Sequence, residues 1–174
     1  MSLPAPRRAL VIMLRRVGDV LLTTPAARAL RRLWPEAELD FLVEPPADQL
    51  LEGDPSLTRV LRYGNAPANY LYWLARVNRT GYDHVYDFMG NPRTAALTFA
   101  SRAPVRAGPA HVFHRWAYTH RMTQTPGRAQ YSAIDKILML RSLGLDADAS
   151  DYRPRLAPHA PSEAFADSAL AALG

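Results

Sequence analysis

The residues with the clearest chemical potential lie in one run, Arg15-Arg16-Val17-Gly18-Asp19, with Thr23, Thr24 and Pro25 one turn further on. A carboxylate such as Asp19 can take a proton from a hydroxyl group as that oxygen attacks an electrophile. Glycine at 18 leaves room for a substrate beside the backbone. Arg15 and Arg16 flank the pair, and a guanidinium fork matches the two oxygens of a carboxylate or phosphate. Asp19 also fits a structural role, because Asp is a favoured helix N-cap and would there bind first-turn N–H groups. A fully engaged cap is a weaker base, so the two roles compete. Thr23 could offer its hydroxyl to a ligand, whereas Thr24 and Pro25 read as packing of the first helix turn. Further along, Asn91 and Arg93 suit a second anion contact. Lys136 could reach an acidic group, with Ser132 one helical turn earlier on the same face. For Arg93 and Lys136 a solvated helix surface is the plain alternative.

These residues need a scaffold, and the hydrophobic pattern supplies one. The apolar run ending at Leu14 reads as a buried strand over residues 8–14, and a helix over 19–33 follows, ended by Trp34-Pro35. The alternation continues with a strand at 38–43, a short helix at 47–51, a strand at 59–63 and a helix at 67–79. A strand at 84–88, a helix at 93–101 and a short strand at 105–107 complete it. Repeated βα units predict an α/β fold, a Rossmann-like parallel sheet with helices on both faces. Ligands then bind at the carboxyl ends of the strands. There the loops 15–19, 44–45 and 89–93 converge. Tyr70, Tyr72, Trp73 and Val77 fall at helical spacing and read as core rather than as a sugar platform.

Residues 110–128 break the pattern and read as a mobile basic loop, and a helix over 129–143 closes the first unit at Gly144. The expected domain is therefore 1–144. Residues 145–174 read as a proline-bearing linker and the start of a connection, with Ser162 as N-cap of a helix over 162–173. A second α/β domain is expected beyond it.

The chain has 174 residues, 48% of them hydrophobic, which is enough for one globular domain with a real core. It has no cysteine, which excludes disulfide scaffolds, thiolate metal sites and thiol nucleophiles, and fits a reducing compartment. No apolar run approaches the roughly 20 residues of a membrane span, and no signal peptide opens the chain. A cytoplasmic location is expected. Charge is segregated. Residues 36–54 carry seven acids and no base, while residues 89–134 carry no acid against six arginines and three histidines. Such a surface attracts anions. Within it, His111-Val112-Phe113-His114-Arg115-Trp116 mixes bases with aromatics, as both nucleic-acid and membrane-facing surfaces do. No Asp, Glu or Cys joins the histidines, so no metal site is expected.

Taken together, Gly18-Asp19-Val20-Leu21-Leu22-Thr23-Thr24-Pro25, then Trp34-Pro35, then Leu39-Asp40-Phe41-Leu42-Val43 resembles the N-terminus of glycosyltransferase family 9, the lipopolysaccharide heptosyltransferases. Asp87-Phe88-Met89-Gly90-Asn91-Pro92-Arg93 and Asp135-Lys136 with Leu143-Gly144-Leu145 resemble its later segments. The resemblance implies the N-terminal half of a GT-B fold, which binds the acceptor, and an inverting transfer without bound metal. It implies Asp19 as general base, with Arg15, Arg16, Gly18, Thr23, Asn91, Arg93, Ser132 and Lys136 around the acceptor. It further implies a Kdo-bearing lipopolysaccharide-core acceptor at the inner face of the cytoplasmic membrane, and no nucleic acid. No cofactor is expected in this domain; an ADP-heptose-type donor would sit on the second. Arg15-Arg16 stand where many members have small hydroxyl residues, and Ser132 where many have His. Two other readings stand beside this one. A nucleotide-binding Rossmann module would want a G-x-G-x-x-G turn, which is absent. A non-catalytic module for anionic lipid or nucleic acid would rest on the basic stretch.

Overall fold

The computed structural model describes residues 3–64, 66–123, 131–156 and 160–173. Six strands form one parallel sheet: β1 (Arg8–Met13), β2 (Glu38–Val43), β3 (Arg59–Arg62), β4 (His84–Asp87), β5 (Val105–Pro109) and β6 (His120–Met122), in the order β3-β2-β1-β4-β5-β6. The helices are α1 (Val17–Leu21), α2 (Thr24–Leu33), α3 (Pro67–Thr80), α4 (Pro92–Ala100), α5 (Ser132–Arg141) and α6 (Ala160–Leu173). The expected Rossmann-like α/β sheet is present. Strand order reverses between β1 and β4, which is where doubly wound sheets open a ligand crevice.

The central strands are mostly apolar because both faces of the sheet are covered, and their buried polar residues are partnered: Asp40 of β2 by Arg59 and Tyr82, Asp87 of β4 by Tyr118 and His84 by Tyr86. Ala9, Val11 and Met13 pack with Leu39, Phe41 and Val43 under α2 and α5. Leu10, Ile12 and Leu14 point the other way, to Leu42, Val85, Trp73, Val77 and Leu97 under α3 and α4. Trp73 and Val77 are thus core, as their spacing implies, while Tyr72 is exposed. Register sets the strand ends level. Met13 lies opposite Val43 and Ile12 opposite Asp87, so the loops after β1, β2 and β4 start side by side.

Three expectations change. The helix expected over 19–33 is two helices, broken at Leu22-Thr23. Thr23 donates its hydroxyl to the Asp19 carbonyl at 2.7 Å and Thr24 donates to that of Leu21 at 2.9 Å, which diverts the backbone from one continuous ladder. Over its described part, the stretch 110–128 is not an irregular loop. It forms a 3-10 turn at Arg115–Ala117 and then β6, with residues 124–128 outside the described residues. The helix expected from Ser162 starts at Ala160, so Ser162 stands inside it and not at its cap. The expected helix over 129–143 is α5, with 129 and 130 outside the described residues.

The segment after Gly144 does not hang free over its described part. Leu145 and Ala147 are buried against the α2–α5 side. Arg28 of α2 holds both carboxylate oxygens of Asp151, at 3.2 Å each, and its backbone carbonyl at 3.1 Å. Arg32 and Arg155 also pair with Asp151.

Candidate active site

Helix α1 springs directly from the end of β1, and this short geometry decides what Asp19 can do. The residue at the N-cap is Arg16, whose carbonyl accepts the N–H groups of Asp19 and Val20 at 2.9 and 3.2 Å. Asp19 stands in the first turn, and no side-chain cap bond forms. The capping role is therefore excluded. The carboxylate is about one-third exposed, and its one ion pair among the described residues is with Arg15, at 3.6 Å. It keeps free lone pairs at a helix N-terminus, where negative charge is favoured.

Gly18 beside it is unusual for what it lacks. Its φ is not positive, and no described atom outside its own neighbourhood lies within 4 Å of where a Cβ would stand. Neither backbone conformation nor internal packing calls for glycine, although glycine inside a helix is costly relative to alanine. The open space adjoins a cleft of about 470 Å³ lined by Arg15, Arg16, Val17 and Gly18 on one side and Glu44, Pro45, Pro46 and Ala47 on the other. Arg15 and Arg16 are exposed at its mouth.

Lys136 comes to the same place from α5. It is the only lysine in the chain, and it is buried, not a surface decoration. Its ammonium donates to Ser132 Oγ at 2.7 Å, so the two residues do share a face. Burial lowers its pKa below the ordinary lysine value. The negative charge of Asp19 acts in the opposite direction, ahead of Asp135. Asp19, Arg15 and Lys136 thus form one electrostatic group drawn from α1, the loop before it and α5.

The loop after β4 is built as a rigid shelf. Asp87, fully buried, accepts the N–H groups of Met89 and Gly90 at 2.9 and 3.0 Å and the Tyr118 hydroxyl at 2.7 Å. Burial pushes its pKa up, and these hydrogen bonds pull it back down. Gly90 has φ of +69°, and a Cβ there would stand 2.9 Å from Pro109 and Val112, so this turn requires glycine on both counts.

Three expected contacts take on other work. Thr23 is fully buried with its hydroxyl spent on the helix break, which removes it from the ligand side. Asn91 is the N-cap of α4 in a reciprocal capping box with Thr94. Arg93 pairs with Glu44 at 2.6 Å and lies over the Tyr63 ring at 5.1 Å, so it ties the β2 and β4 loops together with its charge already matched. The structure therefore brings Arg15, Arg16, Gly18, Asp19, Ser132 and Lys136 toward one end of the sheet. It assigns Thr23, Asn91 and Arg93 to holding that end in shape. Sequence reasoning missed Glu44 as Arg93's partner and the Asp87–Tyr118 bond. An acid at the end of a short strand buried at every position was the available signal for Asp87.

No protein-family model and no curated protein sequence matches the chain. Solved structures do match. A glycosyl transferase of family 9 from Veillonella parvula DSM 2008 aligns with 88% of this chain and 45% of its own, at 24% identity and a TM-score of 0.76. E. coli heptosyltransferase WaaC, solved with ADP, aligns with 81% of this chain and 48% of its own, at 23% identity and a TM-score of 0.66. E. coli ADP-heptose LPS heptosyltransferase II aligns with 91% and 49%, at 16% identity and a TM-score of 0.73. The fold is that of the N-terminal half of the GT-B proteins it matches. The chain spans about half the length of the solved proteins it matches, and the Asp19 group stands at the carboxyl end of β1, beside the cleft between the loops after β1 and β2.

Proposed function

We propose that this chain is the acceptor-binding half of an inverting glycosyltransferase and that Asp19 is its general base. The observation that carries this reading is the uncapped, half-open carboxylate of Asp19 beside a glycine for which the protein itself has no use. In the reaction, the acceptor hydroxyl attacks the anomeric carbon of a nucleotide sugar from the face opposite the leaving group. Its proton passes to the Asp19 carboxylate. The bond from the anomeric carbon to the diphosphate oxygen breaks, and the nucleoside diphosphate departs with that electron pair. Arg15 and Arg16 suit an acceptor bearing carboxylates or phosphates, and the Lys136 ammonium balances the Asp19 charge. A Kdo-bearing lipopolysaccharide-core acceptor has those groups. The donor, of ADP-heptose type, would be held by residues beyond this domain, which needs no cofactor of its own. WaaC, to which the chain is similar in fold, has been solved with ADP and with ADP-2-deoxy-2-fluoro heptose, which supports a donor of that class. The reaction would run in the cytoplasm, at the inner face of the membrane, and without nucleic acid.

The test pairs binding with turnover. The 174-residue chain should bind a Kdo-bearing acceptor saturably and should transfer no sugar by itself. In a protein that carries both halves, Asp19→Asn should lower kcat by about a hundredfold or more, the usual worth of a general base. Acceptor affinity should be retained. Turnover by Asp19→Asn at the parent rate would remove Asp19 from the chemistry.

A further inference from the structure

The side of the sheet covered by α3 and α4 carries a surface that the crevice does not use. Between residues 55 and 134 the chain has two acids, Asp83 and Asp87. Asp83 is turned to the start of β1, where it accepts the N–H groups of Arg7 and Arg8 at 2.7 and 2.9 Å. Asp87 is fully buried. Neither places negative charge on the outer surface of α3, α4 or the crossover from β5 to β6. That surface instead carries Arg76, Arg79, Arg102 and Arg115, all exposed, with His111 beside them. Paired acids of the chain instead stand around β2 and β3 and on the segment bound to α2.

The same side shows large apolar groups to solvent. Phe113 is 89% exposed, Trp116 60% and Phe99 51%. Trp116 stands edge-on to Phe99, with ring centroids 5.2 Å apart. Beside Phe99 a groove runs between α3 and α4, lined by Asn78, Arg79, Arg102 and Arg106. Exposed Tyr72, hydrogen-bonded to Arg76, and Leu71 extend the apolar surface along α3. Single exposed aromatics need no explanation, but a contiguous set rimmed by cations does. The crossover that displays them is firmly held from below. Tyr118 is bonded to Asp87, Ala117 is buried, and the Arg106 guanidinium donates to the carbonyls of Ala103 and Ala117.

We propose that this face docks the domain on an anionic phospholipid bilayer. Aromatic rings suit the interface between headgroups and chains, and arginines suit lipid phosphates. The contact is peripheral, since no helix among the described residues is long and apolar enough to cross a membrane. A single-stranded nucleic acid also wants cations and aromatics, but it wants open ring faces for stacking. Here Phe99 and Trp116 meet edge to face, and an aliphatic residue, Leu71, belongs to the surface. The proposal deepens the function above and rests on it in one respect, that a lipid-borne acceptor must be met at a bilayer. The Asp87–Tyr118 bond links this face to the shelf of the crevice, so a docked domain would present its crevice at a fixed height.

Trp116 makes the test direct, because Trp73 is buried and Trp34 half-buried. Vesicles of phosphatidylcholine with one-quarter phosphatidylglycerol, and no acceptor, should shift the tryptophan emission to the blue. Brominated acyl chains should quench it. Vesicles of phosphatidylcholine alone should do neither. Phe113→Ser with Trp116→Ser should cut the partition coefficient, read by sedimentation, about tenfold. Arg102→Gln with Arg115→Gln should do the same at low salt, and the parent should lose binding as salt rises. Asp19→Asn should bind vesicles like the parent, so a failure of the catalytic reading leaves this measurement untouched. Equal partition of the parent and both double variants would overturn the proposal. So would tighter binding to a single-stranded RNA that displaces the vesicles, or a blue-shifted emission already present without lipid because the chain self-associates through this face.

Discussion

Gly18, beside Asp19, is a residue at which the molecule gives up stability without any packing or backbone reason among the described residues. A helix of five residues is a poor place for glycine, and nothing inside the protein compensates. Gly18→Ala should therefore stabilise the fold by about 0.5–1 kcal/mol, since alanine restricts the unfolded chain and fits the observed backbone. The same methyl group would project into the space beside the cleft. Acceptor affinity should fall while the urea midpoint rises. A variant that gains stability and keeps its affinity would show that the open space beside Asp19 is not used by a ligand.

The elements set what each residue can be, and here the sequence was uneven as a guide. β1 and β2 were legible because a strand covered on both faces is predominantly apolar, and the one buried acid of β2, Asp40, did not break the run around it. Their ends were legible too, so the loops that converge on the crevice could be named. The break between α1 and α2 was not. Thr23 and Thr24 divert their hydroxyls to backbone carbonyls, which no hydrophobic pattern reports, although Pro25 near the start of α2 was a signal of a new helix. β6 was hidden because a three-residue edge strand of His, Arg and Met has no run to detect. The burial of Lys136 was hidden for a different reason. A lone lysine on a helix reads as surface unless its side chain is known to meet the charge of Asp19. That meeting yields a prediction for the pair of helices. With its amine dimethylated by 13C reagent, Lys136 gives the single side-chain resonance of its kind in the chain. It should titrate below the ordinary lysine value of 10.5 because of burial. In Asp19→Asn the midpoint should fall further, since the charge that holds the proton on Lys136 is gone. An unchanged midpoint would separate α5 from the Asp19 group.

At the scale of the whole molecule, stability should depend on pH through one histidine in the sheet. His84 is fully buried on β4, with its Nδ1 2.9 Å from the Tyr86 hydroxyl and its ring edge-on to Trp34 at 5.1 Å. Burial, with a smaller push from His120, lowers its pKa from 6.5 to about 4, against the opposing effect of Asp83. The unfolded chain therefore binds a proton on His84 that the folded chain refuses. Stability from this group is complete above pH 6.5 and is lost as pH falls from there toward 4, by roughly 3 kcal/mol in all. Below 4 both states carry the proton and the loss stops. Carboxylates titrate in part of the same window, so the informative quantity is a difference. Urea midpoints of the parent and of His84→Gln, measured at intervals from pH 7.5 to 4, should diverge least at the acid end. The parent should approach its variant as the window is crossed. Parallel curves would mean that His84 takes up its proton at the same pH in the folded sheet as in the unfolded chain, and that Tyr86 and Trp34 accommodate an imidazolium.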